Sequence, residues 1–376
     1  MESKLCVKKF YQTLLNNEIN FFTGVPDSLL KNVCAYITEK SNKSNHIIAA
    51  NEGNAVGIAA GYNLSTQKIP LVYLQNSGFG NLINPLTSLI HENVYQIPIL
   101  FMIGWRAEPG KKDEPQHLEM GNKMEQLFQA LNLEYCILSN QEQEAEKQIN
   151  YACSYMKTNQ KPYVLLVSKN TFEKYELSEQ KESQYIFSRQ QILEFILQHT
   201  NDNQILVSTT GMLSRELYEY RIKNNQIPKD IINPGAMGHC SSIGLGISLS
   251  NPEKDVIVLD GDGSVLMHMG SLAVNGCNSN KNFKHIMINN GAHDSVGGQP
   301  TEGFNINFLQ IFTACNYMVL ECEDYNNQDK INQVIKNFLK TDGPVFLELR
   351  CKKGFTKGLG RPDDIKEIKN NFQLNN

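Results

Sequence analysis

Two groups of residues in this 376-residue chain have types and spacings that can do chemistry. The first is Asp260-Gly261-Asp262-Gly263-Ser264, which closes an apolar run and opens a stretch of helical period. Gly261 and Gly263 allow a sharp turn and a close backbone approach to a ligand, and a helix start offers unpaired N–H groups to an anion. Asp262 supplies one hard carboxylate oxygen, and Asn290, in the Asn289-Asn290 pair separated from Gly263 by 25 residues, supplies a neutral amide oxygen. The carbonyl of Ala292 can add a third oxygen. Few carboxylates, with a ligand's phosphate oxygens completing an octahedron, is the mixture Mg2+ prefers. Alone, Gly-Asp-Gly is usually a surface turn and Asn-Asn a helix cap; their place at consecutive strand ends turns the reading toward a phosphate-bearing ligand. The second is Glu52, in Asn51-Glu52-Gly53-Asn54-Ala55. By itself it reads as an acid favoured by a helix N-terminus. The small residues Gly53, Ala55, Gly57, Ala59, Ala60 and Gly61 allow close packing, which would desolvate the carboxyl and favour its protonated form.

The elements that must position these residues are read from short apolar runs alternating with helical periods, the pattern of parallel sheets flanked by helices. Strands are predicted over 21–25, 46–50, 70–75, 98–105, 134–138 and 162–168, then over 204–209, 231–232, 256–260, 285–289, 318–321 and 344–350. Helices are predicted at 27–38, 52–64, 79–91, 119–132 and 142–157, and at 189–199, 211–222, 239–250, 264–276, 305–314 and 328–340. The polar, aperiodic stretch 169–187 reads as a linker between a first domain (1–168) and a second (188–376). Two doubly wound α/β domains follow, and in such sheets ligands bind beyond the carboxyl ends of the strands, where both groups fall.

Composition narrows the function. Lys and Arg number 35 against 39 Asp and Glu, a net charge of −4, which gives no mass-action attraction to nucleic acid or to an anionic membrane. The longest apolar run, 97–105, is far short of the roughly 20 residues needed to span a bilayer. The N-terminus is polar, unlike a signal peptide. Nine cysteines without a C-x-x-C pattern point to buried thiols in a reducing, cytoplasmic compartment. A nicotinamide-dependent dehydrogenase would need G-x-G-x-x-G after an early strand, and Thr23-Gly-Val-Pro-Asp-Ser28 lacks it.

Gly261-Asp262-Gly263 with Asn289-Asn290 resembles the signature of thiamine diphosphate-dependent enzymes. Over nearly the whole chain, 23–28, 51–55, 103–106, 113–117, 291–301 and the tail 359–362 resemble the phosphonopyruvate decarboxylase branch, with sulfopyruvate decarboxylase a close relative. Ala107 stands where that branch has Gly, and the likeness fades beyond Pro362. The resemblance implies two domains of the thiamine diphosphate-binding fold. It implies Mg2+ on Asp262, Asn290 and the Ala292 carbonyl, with Gly261, Gly263 and Ser264 also at the cofactor. It makes Glu52 the activating acid, Met237 the wedge that bends the cofactor and the Gly235 carbonyl an acceptor for its amino group. Because one half-site belongs to each kind of domain across a subunit boundary, it also implies a homodimer or higher homo-oligomer. A catalytically silent binding protein that kept the cofactor fold is disfavoured by the presence of Glu52, Asp262 and Asn290 together.

The implied reaction is decarboxylation of a 2-keto acid bearing a phosphonate, without redox chemistry. Arg106, ending an apolar strand, is the expected bidentate phosphonate anchor. Ser295, Gly297 and Gly298 are possible donors, and Lys111, Lys112 and Arg361 lesser cations. Asp27, His117 and His293 are the candidates for proton transfer: Asp27 doubles as a helix cap, and His117 reads as a loop histidine with an ordinary pKa near 6.5. His91, His239 and His268 read as structural.

Overall fold

The computed structural model describes residues 3–177, 183–356, 358–360, 362 and 364–375, so Arg361 lies outside the described residues. The chain divides into two compact units, Met1–Gln180 and Lys181–Asn376.

In the first unit, strands β1 (Phe22–Gly24), β2 (His46–Ile48), β3 (Leu71–Gln75), β4 (Leu100–Gly104), β5 (Glu134–Ile137) and β6 (Tyr163–Val167) form one sheet in the order β2-β1-β3-β4-β6-β5. All its pairings are parallel. Period-two alternation explains the continuous apolar character of these strands. Leu71, Tyr73, Leu100, Met102 and Leu165 enter one core, while Val72, Leu74, Phe101, Ile103 and Leu166 enter the core on the opposite face.

The second unit repeats the plan with β7 (Gln204–Ser208), β8 (Ile231–Ile232), β9 (Asp255–Gly261), β10 (Phe283–Asn289), β11 (Ala292–His293), β12 (Gln299–Pro300), β13 (Met318–Leu320) and β14 (Val345–Arg350). Its sheet order is β13-β14-β10-β9-β7-β8, all parallel, while β11 and β12 make a small antiparallel hairpin. Ile257, Leu259, Ile286 and Leu347 bury on one face, and Val256, Val258, Met287 and Phe346 on the other.

Several elements depart from their predicted form. The helix expected at 79–91 is a 3-10 segment, Asn76–Leu82, followed by a short α-helix, Ile83–Ser88; Gly78 and Gly80 weaken regular helix there. The helix expected at 264–276 is two, Asp262–Met267 and Ser271–Asn278, broken around His268–Gly270. Phe172 buries in a core of the first unit and Phe187 packs against a core of the second, so both ends of the 169–187 stretch are folded. Among the described residues no helix is long and apolar enough to cross a membrane.

Candidate active site

In the first sheet the chain leaves β1 toward β2 on one side and β3 toward β4 on the other, which opens a crevice at the carboxyl ends of β1 and β3. Asp27, just past β1, lies in that position with no exposed surface. Its Oδ2 accepts the N–H of Leu29 (2.9 Å) and of Leu30 (3.2 Å), and its Oδ1 accepts Gln75 Nε2 from the end of β3 (2.9 Å). A Cβ on Gly104 would sit 2.0 Å from Oδ2, so the end of β4 requires glycine. Burial pushes the Asp27 carboxyl up to about 6, against the pull of the backbone donors and the Arg106 charge. Both sequence readings of Asp27 therefore coexist: it caps a turn, although the helix that follows begins only at Lys31, and it is an acid poised near neutrality.

That shift has a stability consequence. A carboxyl whose folded pKa lies above its unfolded one stabilises the fold below the unfolded value, near 4, and that contribution disappears as pH rises through about 6. Asp27→Asn keeps the shape and removes the charge that burial penalises. Its expected effect at pH 7 is a stabilisation of about 1–3 kcal/mol, seen as a higher melting temperature. The gain should fade to nothing below pH 4; melting curves at pH 4 and pH 7 check it, and an equal gain at both would exclude this cause.

Glu52 is the first residue of the helix Glu52–Thr66, capped by Asn51, whose side chain accepts Asn54 N–H. Only 5% of Glu52 is exposed. Its Oε2 accepts Asn81 Nδ2 at 2.7 Å, and its Oε1 lies where a Cβ on Gly78 would be, 2.0 Å away. Burial raises its pKa, outweighing the Asn81 hydrogen bond that lowers it. Gly78 and Asn81 were not singled out from the sequence; the signal was the Asn/Ser/Gly-rich run 76–81 directly after a strand.

Two residues in this unit have surroundings that the sequence did not suggest. The bidentate face of Arg106 is already taken: Nε donates to Asp113 Oδ2 at 2.8 Å, Nη2 to Asp113 Oδ1, and Nη1 to Ser28 Oγ at 3.1 Å. Asp113 Oδ2 also accepts the N–H of Ala107, which adopts φ +53°, so this ion pair holds a left-handed turn. His117 is not a solvated loop residue; it is buried in the first turn of the helix Pro115–Ala130. Burial first, and then the Arg106 charge, lower its pKa to about 4, so it is neutral at pH 7. Lys111 is paired with Glu108, and Lys112 is exposed.

In the second sheet the corresponding crevice opens between β7 and β9. Ser264, past β9, ties it together: its Oγ accepts Thr209 Oγ1 (2.9 Å) and the N–H of Gly238 (3.2 Å), which fills both lone pairs of the hydroxyl. Asp262 is 2% exposed and accepts the Thr301 hydroxyl. Burial pushes its carboxyl up to about 6, and the nearby charge of Asp294 adds to the push. Among the described residues no cationic side chain pairs with Asp262, so this buried carboxylate lacks the counter-charge that a divalent ion would bring. Asn290 Oδ1 accepts the N–H of Ala292 (3.1 Å) and keeps acceptor capacity. One carboxylate, one amide oxygen and one carbonyl suit Mg2+. No group of three or more His, Cys, Asp or Glu side chains among the described residues could hold a metal ion.

Gly263 lies between two of the predicted residues. A Cβ there would come within 3.0 Å of His293 Cε1 and 3.4 Å of Met237 Cε, so thioether and imidazole flank the turn. Burial lowers the His293 pKa to about 4, which makes it neutral at pH 7. The Gly235 carbonyl accepts Met237 N–H at 2.9 Å and retains one lone pair. Ser295 is exposed at the tip of the β11–β12 hairpin, and the Gly298 N–H is used by the His293 carbonyl (3.0 Å), so Gly298 is not a free donor.

Two doubly wound domains, one presenting a buried glutamate and the other a Gly-Asp-Gly turn at its switch point, define a thiamine diphosphate enzyme. Residues 7–132 match the model of the N-terminal TPP binding domain of thiamine pyrophosphate enzymes, and residues 209–349 that of the C-terminal TPP binding domain. The chain is 32% identical to phosphonopyruvate decarboxylase of Streptomyces viridochromogenes over 88% of its own length and 86% of the relative. It is 31% identical to the enzyme of the same name from Streptomyces hygroscopicus, over 88% and 85%. Identity to sulfopyruvate decarboxylase of Methanosarcina acetivorans is 27%, over 97% and 96%. The chain belongs to the phosphonopyruvate decarboxylase family of thiamine diphosphate-dependent carboxy-lyases.

Proposed function

We propose that the enzyme converts 3-phosphonopyruvate to phosphonoacetaldehyde and carbon dioxide, using thiamine diphosphate and Mg2+, in phosphonate biosynthesis. The observation that carries this reading is the 32% identity to a phosphonopyruvate decarboxylase along 88% of the chain. Bound thiamine diphosphate supplies a nucleophilic carbon and a sink for the electrons left when carbon dioxide departs. Asp262, Asn290 and the Ala292 carbonyl would hold the metal under the diphosphate, with Gly261, Gly263 and the backbone of Ser264 at the turn. Glu52 would hold a proton against a cofactor nitrogen, Met237 would support the bend of the cofactor, and the Gly235 carbonyl would accept from its amino group. Asp27 is the proton donor that burial poises best for pH 7, since His117 and His293 stay neutral there. Arg106, held by Asp113, would contribute its remaining N–H groups and its charge to the substrate phosphonate, with Ser295 a lesser contact.

The oligomer is part of the proposal: the two half-sites come from different copies in at least a homodimer. The helix Glu52–Thr66 supports this, because Gly57 and Gly61 face open space beside the exposed Leu64, a small-residue surface suited to another helix. The alternative substrate is sulfopyruvate, favoured by a relative matching 97% of the chain. Carbon dioxide release from phosphonopyruvate, sulfopyruvate and pyruvate, each with and without thiamine diphosphate and Mg2+, decides between them. The highest kcat/KM is expected on phosphonopyruvate, and preference for either other acid would replace that substrate.

A further inference from the structure

Asn289, which ends β10, and Asn290, which follows it, have their amide nitrogens held by buried carboxylates, and each carboxylate is held by an arginine. Asn289 Nδ2 donates to Glu348 Oε1 at 2.7 Å and to the Gly303 carbonyl at 2.7 Å, and Glu348 is paired with Arg350 through Nε (2.9 Å) and Nη2 (3.2 Å). Asn290 Nδ2 donates to Asp294 Oδ2 at 2.6 Å. That oxygen also accepts Arg189 Nη1 (3.2 Å) and the N–H of Gly354 (3.0 Å). Arg189 makes its fork with Glu216, Nε to Oε2 at 2.8 Å and Nη2 to Oε1 at 3.1 Å. The side chains of Arg189, Glu216 and Asp294 are 9%, 1% and 7% exposed. Helix Arg189–Leu197, helix Met212–Lys223 and the segment after β14 thus converge on one amide.

An asparagine ligates a cation only through its oxygen. A free Asn side chain can turn by half a rotation and present NH2 to the ion instead. Asp294 Oδ2 already accepts Arg189 Nη1 and the Gly354 N–H, so it meets Asn290 as an acceptor, fixes which end of that amide is nitrogen and leaves Oδ1 for other partners. Arg189 and Gly354 in turn satisfy Asp294 and keep it in place. We infer that Asp294, held by Arg189, is a positioning residue that locks the Asn290 amide oxygen toward the metal of the cofactor. This rests on the proposed metal site.

The discriminating variant is Asp294→Asn. It should fold, because Glu216 alone already neutralises Arg189 in a fork, so no buried charge is left unpaired. Its side chain can offer NH2 as well as oxygen to Asn290, so that the orientation is imposed only by the Ala292 N–H on Oδ1. Lost partners of this kind weaken metal binding by roughly 10–100-fold. Mn2+ would replace Mg2+ as the probe: loss of its free electron-paramagnetic signal, with thiamine diphosphate present, gives the dissociation constant without turnover. The expected result is a 10–100-fold rise in that constant and in the Mg2+ activation constant, with kcat at saturating Mg2+ and the melting temperature close to wild type. A merely structural role would lower the melting temperature and kcat together and leave the metal constants alone, which would overturn the inference. Unchanged Mn2+ affinity in a folded Asp294→Asn, beside lost affinity in Asp262→Ala, would overturn it while the metal site stands. Unchanged affinity in both variants would remove the site and the inference with it.

Discussion

Glu52→Gln is expected to lower turnover by about 10²–10⁴-fold, the range that a single positioned proton donor contributes, while thiamine diphosphate still binds. The argument starts from the surroundings of the carboxyl. Glu52 is 5% exposed, its Oε1 is packed against Gly78 and its Oε2 takes a hydrogen bond from Asn81. Burial makes the charged form costly and moves its pKa upward. A protonated carboxyl in that position can give up its proton and recover it; an amide of nearly the same shape can donate a hydrogen bond but cannot transfer the proton. The substitution also removes a buried titratable group whose folded pKa is raised. Such a group favours the fold most below its unfolded pKa and progressively less as pH rises, so the variant should be no less stable than wild type at pH 7. Calorimetric titration with the cofactor, a melting curve and a carbon dioxide assay on one preparation separate the outcomes. Normal binding and melting with turnover near wild type would show that Glu52 is only a buried helix-terminal acid.

The sheets were legible because their strands are buried on both faces. Runs such as Leu71–Gln75, polar only at its last residue, and Tyr163–Val167 end within a residue or two of where periodicity places them. Glu52 and Asp262 were legible because a strand end, a small-residue turn and a helix start occur together around each. The sequence did not show who holds these carboxylates. Asn81, Gly78 and Thr301 lie 29, 26 and 39 positions from their partners, and only the return of the chain over the sheet brings them close. The surroundings of Arg106 and His117 were not legible, for one shared reason. A cation in an apolar run and a histidine in a charged one look free until Asp113 folds back onto the guanidinium and the helix Pro115–Ala130 buries the imidazole. Charge pairing over seven residues and burial of a helix's first turn are tertiary outcomes, and composition is blind to both.

Asp262→Ala removes the one carboxylate of the proposed metal site and should abolish Mg2+-dependent cofactor binding, leaving that variant inactive, as Glu52→Gln nearly is. Mixed together, the two inactive proteins are expected to recover activity. If each site takes Glu52 from one copy and Asp262 from another, a dimer of one Glu52→Gln chain and one Asp262→Ala chain has one doubly damaged site and one intact site. Random reassortment makes half of the dimers mixed, each with one working site of two, so the mixture should reach about a quarter of the wild-type rate at equal chain concentration. The two variants would be unfolded and refolded together, or co-expressed with different tags, and the mixed species purified before assay. A pure mixed dimer should then show about half the wild-type rate, with one thiamine diphosphate bound tightly per dimer. If each site were built within a single chain, every site in every combination would carry a lesion, and no mixing ratio would raise the rate above that of Glu52→Gln alone.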